Sequence, residues 1–378
     1  KDSLNVPKLR FEGYNEEWVE KRIEKVLKIK HGKDKKAIET QDGRYPILAT
    51  SGEIGRSNTF LWNKPCVLIG RKGTINKPQY MDIPFWTVDT LFYSDVFQEN
   101  NAKYLYYLFN PINWEKYDES TGVPSLSAKT IERIKIKISN NAQEQEKIAS
   151  FLTLIDKKIE KQKELVELLK KYKRGLLSQI FSQKLRFKDE NGNNYPDWEE
   201  KRLGDICTTF SGGTPSITHQ EYYNGDIPFI KSGEIHSDKT EMFITDIGLK
   251  NSSAKLVKKG DLLFALYGAT SGEVDISKIN GAINQAILCV KSDTLNLNYL
   301  KELLSYNKNQ ILCKYLQGGQ GNLSADIFKA LKFKFPIKKE QDKISDFLIN
   351  YDKITHIEEH LLNLYINYKQ GLLQQLFI

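Results

Sequence analysis

The chain has 378 residues, with 56 Lys or Arg against 48 Asp or Glu for a net charge of +8. Its 40% apolar and 28% charged content excludes a disordered or fibrous chain, and its length suits two or three domains better than one core. No apolar run approaches the ~20 residues that span a bilayer, so no membrane is expected. Cys66, Cys207, Cys289 and Cys313 are too scattered for a zinc site and fit a reducing cytoplasm.

In chain order, the first feature is Leu9-Arg10-Phe11 followed by Trp18 and the run EKRI at 20–23, with no signal-peptide h-region before it. Residues 21–36 hold eight Lys or Arg in sixteen, which fits either contact with a polyanion or a solvated helical face. Strands are expected at 66–70 and 134–138, and a helix at 102–109. From Glu144 to Phe181 there is no Pro and a single Gly, Gly175. Ile148, Leu152, Ile155, Ile159, Val166 and Leu169 recur there every three or four positions, as on a long helix with a coiled-coil stripe. Thirty-eight helical residues span roughly 57 Å.

The same series then repeats. Leu185-Arg186-Phe187 and Trp198 with EKRL (200–203) reopen it. Gly- and Pro-rich loops are expected at 211–215, 224–226 and 318–322, strands at 261–266, 286–290 and 331–335, and a helix at 298–310. A second long helix closes the chain, with Phe347, Tyr351, Ile354, Ile357, Leu361, Leu364, Tyr368 and Leu372 as its stripe. Residues 144–181 and 340–377 align without a gap at an offset of 196 and share 17 of 38 residues. Glu144/Glu340, Gln145/Gln341, Asp156/Asp352 and Phe181/Phe377 are among them. SGEI at 51–54 recurs at 232–235. The helices are near copies and the bodies between them have diverged. The fold expected is mixed α/β (α+β): two globular bodies, 1–141 and 183–338, and two helices, 142–182 and 339–378, paired as an antiparallel coiled coil with an internal pseudo-two-fold repeat.

Catalytic motifs are missing from the sequence. There is no phosphate-binding loop and no G-x-S-x-G elbow, and Asn110-Pro111-Ile112-Asn113 lacks the second proline of a base-methyltransferase tetrad. His356-Ile357-Glu358-Glu359-His360 matches a zinc-peptidase pattern. The other copy has Glu160 and Glu164 at the histidine positions, so solvated flanks of the helix are the plainer reading.

The bodies suit nucleic acid better. Residues 21–138 carry net +7 and residues 201–335 net +3. In the first, Lys33, Lys35, Lys36, Arg44, Arg56, Arg71, Lys72 and Lys77 lie near glycine turns, where backbone can approach phosphate and Arg can grip guanine. In the second, Ser211, Thr214, Ser216, Lys231, Ser232, Tyr267, Ser271, Gln320 and Asn322 lie in polar loops suited to phosphate or adenine edges.

Over nearly its whole length the chain resembles the specificity subunit of type I restriction–modification enzymes. The resemblance rests on LRF with the following Trp and KR-hydrophobic run, on SGGTPS and YYNGDIPFIKSGEI within 211–235, on GRKGTI (70–75) and VDTLFY (88–93), and on the duplicated helix. It implies that each body is a target recognition domain reading one half of a bipartite, non-palindromic double-stranded DNA target. The helices would set the spacing and dock two modification (methyltransferase) subunits, which restriction subunits join. The chain itself would be non-catalytic and bacterial, with S-adenosylmethionine and ATP bound by the partners. A coiled-coil adaptor without sequence-specific reading is the alternative.

Overall fold

The computed structural model describes residues 6–315 and 322–377. They fall into two units: the residues up to Leu165 together with those from Glu358 onward, and Val166–Ile357.

In the first unit, strand Val19–Arg22 pairs antiparallel with Lys135–Ile138. An antiparallel sheet follows in the order Leu27–Lys30, Leu91–Val96, Cys66–Gly70, Gln79–Met81. Cys66–Gly70 is buried throughout, as its unbroken apolar run demands. A second sheet has the order Glu39–Thr40, Gly52–Ser57, Tyr45–Ala49, Trp86–Thr87, its last pair parallel. The basic stretch 21–36 is therefore not an α-helical face but strand, a single 3-10 turn at Ile23–Lys25, and strand again. Leu27 and Ile29 are buried and alternate with more exposed Lys28 and Lys30, a period of two that fits a sheet rather than a helical face. The helix Ala102–Phe109 lies where expected, its first turn capped by Asn101.

The second unit repeats the opening strand pair and the order of the first sheet, and arranges its other sheet differently. Glu199–Arg202 pairs with Lys332–Phe335. One sheet runs Thr208–Ser211, Ile287–Lys291, Leu262–Ala265, Val274–Ile276. The other runs Phe243–Ile244, Tyr223–Ile230, Gly281–Ile283, Lys255–Val257, with Tyr223–Ile230 and Gly281–Ile283 parallel. The helix Leu297–Tyr315 replaces the shorter Ala102–Phe109.

The two long helices are Ala142–Phe181 and Lys338–Leu376, and each unit contains a stretch of both. In the first unit, Asp156 pairs with Lys369 at 2.5 Å, Lys158 lies over the Tyr365 ring, and Gln162 donates to Glu358. One number rises as the other falls, so the helices pack antiparallel. In the second unit Lys173 pairs with Asp352 at 2.7 Å, the repeat equivalent of Lys369–Asp156. Leu372, Leu376 and Phe377 join Trp18, Tyr104 and Leu152 in the first core, while Leu177, Ile180, Ile344 and Leu348 join Trp198 and Tyr299 in the second. Each globular core is thus completed by apolar residues from both long helices.

The inward stripe of the first helix lies where its periodicity puts it. Ile148, Leu152 and Val166 are buried, and Ile155, Ile159 and Leu169 partly so. The second helix differs from expectation. Tyr351 and Leu361 are partly buried, but Phe347, Ile354, Leu364 and Tyr368 are exposed. Ile357 is exposed too, whereas Leu372 of the expected stripe is buried; the other inward residues include Ile344 and Leu348, the 196-offset equivalents of Ile148 and Leu152. Apolar side chains on the outer face made a competing stripe of the same period.

Candidate nucleic-acid interface

Each body is fastened to its helix by one buried carboxylate. Glu144, fully buried, accepts from Arg10 Nε at 2.6 Å and Nη2 at 3.0 Å, from Trp18 Nε1 at 3.2 Å and from the Ser139 hydroxyl. Glu340, also fully buried, accepts from Arg186 Nε at 2.9 Å and Nη2 at 3.0 Å and from Trp198 Nε1 at 3.2 Å. The neighbouring glutamines act as a second fastening. Gln145 takes the Asn101 N–H and donates to the Ser139 carbonyl, and Gln341 takes the Asn296 N–H and donates to the Pro336 carbonyl. Arg10, Trp18 and the Glu–Gln pair are all duplicated in the sequence, and their shared role is this junction.

On that frame the second body brings loops from the ends of strands in both of its sheets to one place. Ser211 stands opposite Leu288, Ala265 opposite Ile287, and Ile230 beside Ile283 in parallel register. The loops after Ser211, Ile230 and Ala265 therefore meet around the turn at 284–286. Gly212 and Gly213 are required here, because a Cβ at either would strike the backbone of Ile283 or Ser253. Thr214 Oγ1 donates to Gln285 Oε1 at 2.6 Å. Burial pushes the Tyr267 hydroxyl above its ordinary range, partly offset by a hydrogen bond with Gln285. Lys231 and Ser232 begin a turn closed by Glu234, which accepts from Lys231 N–H and the Thr240 hydroxyl. Ser271 donates to the Leu266 carbonyl, and Leu323 N–H reaches the same carbonyl, bringing Asn322 alongside. Ser216 is exposed and bonds Thr218. Gln320 lies outside the described residues.

The first body has the corresponding edge. A Cβ on Gly32 would strike the Val88 carbonyl, the counterpart of Gly212 over Ile283. Lys33 follows, its N–H on the Thr87 carbonyl. Arg71 ion-pairs with Asp89 and lies over the Phe92 ring, and Lys72 and Lys77 are exposed nearby in the chain. Lys35, Lys36, Arg44 and Arg56 belong instead to the second sheet and the loop leading into it. Lys35 pairs with Glu39, Arg56 with Glu53, Arg44 lies over Tyr45, and Lys36 is exposed. The eight basic residues thus divide into two groups. Asp89 and Gln285 were missed by sequence reasoning, although each lies two residues before a recognisable strand.

Among the described residues no group of three His, Cys, Asp or Glu is placed to hold a metal ion, and His356 and His360 are exposed. Burial pushes the thiols of Cys66 and Cys289 up to about 12 and that of Cys207 to about 11, which leaves them protonated and unreactive near neutrality. Among the described residues no helix is long and apolar enough to cross a membrane.

Comparison with known proteins agrees with this architecture. The family model described as "Type I restriction modification DNA specificity domain" matches residues 15–170 and again 195–364. The MjaIX type I restriction enzyme specificity subunit of Methanocaldococcus jannaschii is 29% identical over 191 residues, 47% of this chain and 44% of that protein. The MjaVIII specificity subunit of the same organism is 23% identical over 91% of this chain and 88% of its own length. Among solved structures, the type I S subunit from M. genitalium superposes with a TM-score of 0.67 at 18% identity, covering 99% of both chains. A chain from a study of type I complex assembly and conformational transition gives 0.57 at 13% identity, covering 95% of this chain and 97% of its own.

Proposed function

Since the chain belongs to the type I restriction–modification DNA specificity family and is a specificity subunit, we propose that its bodies, 1–141 and 183–338, are target recognition domains, each reading one half of a bipartite, non-palindromic duplex. One observation carries this reading: the two bodies share the strand order of one sheet and a glycine-built loop edge, yet differ in the side chains at that edge. A common frame with unlike edges suits two different base sequences, because base-edge contacts specify while backbone contacts position.

The helices at 142–182 and 339–378 set the spacing between the halves. They also dock two modification subunits, and restriction subunits join that core. Leu168 and Tyr172 are 63% and 60% exposed, and their repeat equivalents Leu364 and Tyr368 are 49% and 58% exposed. The same apolar pair presented twice suits two copies of one partner. S-adenosylmethionine and ATP belong to those partners. The chain itself takes a non-catalytic role in the bacterial cytoplasm.

The test is binding of duplex DNA by the chain with its modification partners at fixed salt. The expected ratio of target to random-sequence affinity is on the order of 10³ or more. A ratio near one contradicts the reading and favours a protein-assembling adaptor.

A further inference from the structure

Building on the reading of the second body as a DNA reader, we propose that Gln285 is its specificity-determining residue for one adenine of the half-target. Gln285 is exposed at the tip of the turn where the loops after Ser211, Ile230 and Ala265 converge. The Thr214 hydroxyl takes up one lone pair of its amide oxygen at 2.6 Å. A hydrogen bond with the Tyr267 hydroxyl engages one amide N–H, so the other lone pair and the second N–H remain for a base. A carboxamide so held presents the acceptor and donor that match adenine N6 and N7 side by side. Thr214 is in turn held by its loop, since Gly212 and Gly213 let that loop lie against the backbone of Ile283 and Ser253. The side chain is therefore oriented before DNA arrives, which lowers the ordering cost of the contact. The first body supports the assignment by contrast. In the corresponding turn, one residue shorter between Val88 and strand Leu91–Val96 than between Ile283 and Ile287, stands Asp89, paired with Arg71. Different chemistry in the corresponding turns is what two unlike half-targets require.

The experiment selects preferred targets from a randomised duplex library with the full chain bound to its modification partners, comparing the native chain, Gln285→Ala and Gln285→Glu. Equal thermal stability of the three proteins verifies that the exposed substitutions leave the fold intact. Gln285→Ala is expected to relax preference at one position of one half-target by roughly 5- to 150-fold, the equivalent of one bidentate base contact. The salt dependence and the other half stay unchanged. Gln285→Glu, having only acceptors, moves that position from adenine toward cytosine, whose amino group donates. Unchanged preference, or weakening spread evenly over all positions, overturns the assignment. Exchange of the whole body in the same assay separates the two levels. If that exchange changes a half-target while Gln285→Ala does not, only the role of Gln285 fails. If neither changes it, reading by the second body fails.

Discussion

Replacing residues 201–338 with the corresponding body of another specificity subunit is expected to change one half of the DNA target and leave the other intact. The physical ground is that the two globular bodies have separate cores, one around Trp18, Tyr104 and Trp114, the other around Trp198, Tyr299 and Phe328. All the loops of the second edge, from Ser211 to Asn322, lie within the exchanged segment. The junction residues Arg186, Trp198 and Glu340 lie outside it, so the new body docks on the old helix. Each base pair no longer matched costs about 1–3 kcal/mol, roughly additively, so the original half-target loses its preference outright. Mapping the methylated sites of the hybrid complex checks this. A change in both halves would show that the bodies do not read independently.

The largest effect on stability is expected at the junction carboxylates. Glu340→Ala leaves the Arg186 guanidinium half-enclosed without its bidentate partner and strips Trp198 Nε1 of its acceptor. Loss of one partner from a buried pair costs about 3–5 kcal/mol. The loss falls on the second unit, because Arg186, Trp198 and Glu340 all belong to it. Hydrogen exchange resolved by segment should therefore show faster exchange across the strands from Thr208 to Lys291, with Cys66–Gly70 and Leu91–Val96 unaffected. Arg186→Met combined with Glu340→Leu should recover most of the loss, since no charge is left unpaired and Trp198 forfeits only one neutral hydrogen bond of about 1 kcal/mol. Equal loosening of both units, or no recovery in the double variant, would show that the pair is not what fastens the second body.

Much of this architecture was legible because the chain repeats. The 196-residue offset marks the helices, and their uninterrupted apolar period marks their length. Cys66–Gly70 and Lys332–Phe335 were legible as strands because apolar runs and alternation are local signals. The pairing of Glu144 with Arg10 and of Glu340 with Arg186 was not, since contacts over 134 and 154 residues leave no local trace. Duplication flagged these residues without saying what they touch. The inward face of the second helix was misread because Ile354, Leu364 and Tyr368 are as apolar and as regularly spaced as a buried stripe while lying outside. Transferring the first stripe by the repeat offset would have placed it. At the loop edges, Arg71 and Thr214 drew notice by residue type. The residues they engage, Asp89 and Gln285, became visible only once strand register brought distant loops together.

The most direct measurement is a base-resolution map of the sites methylated in cells by the native chain with its modification partners. Two unlike specific segments, separated by a constant number of unspecified base pairs at every site, are the predicted outcome. A palindromic or continuous target, or a gap that varies from site to site, would contradict a duplicated helical frame that holds two different readers at a set distance.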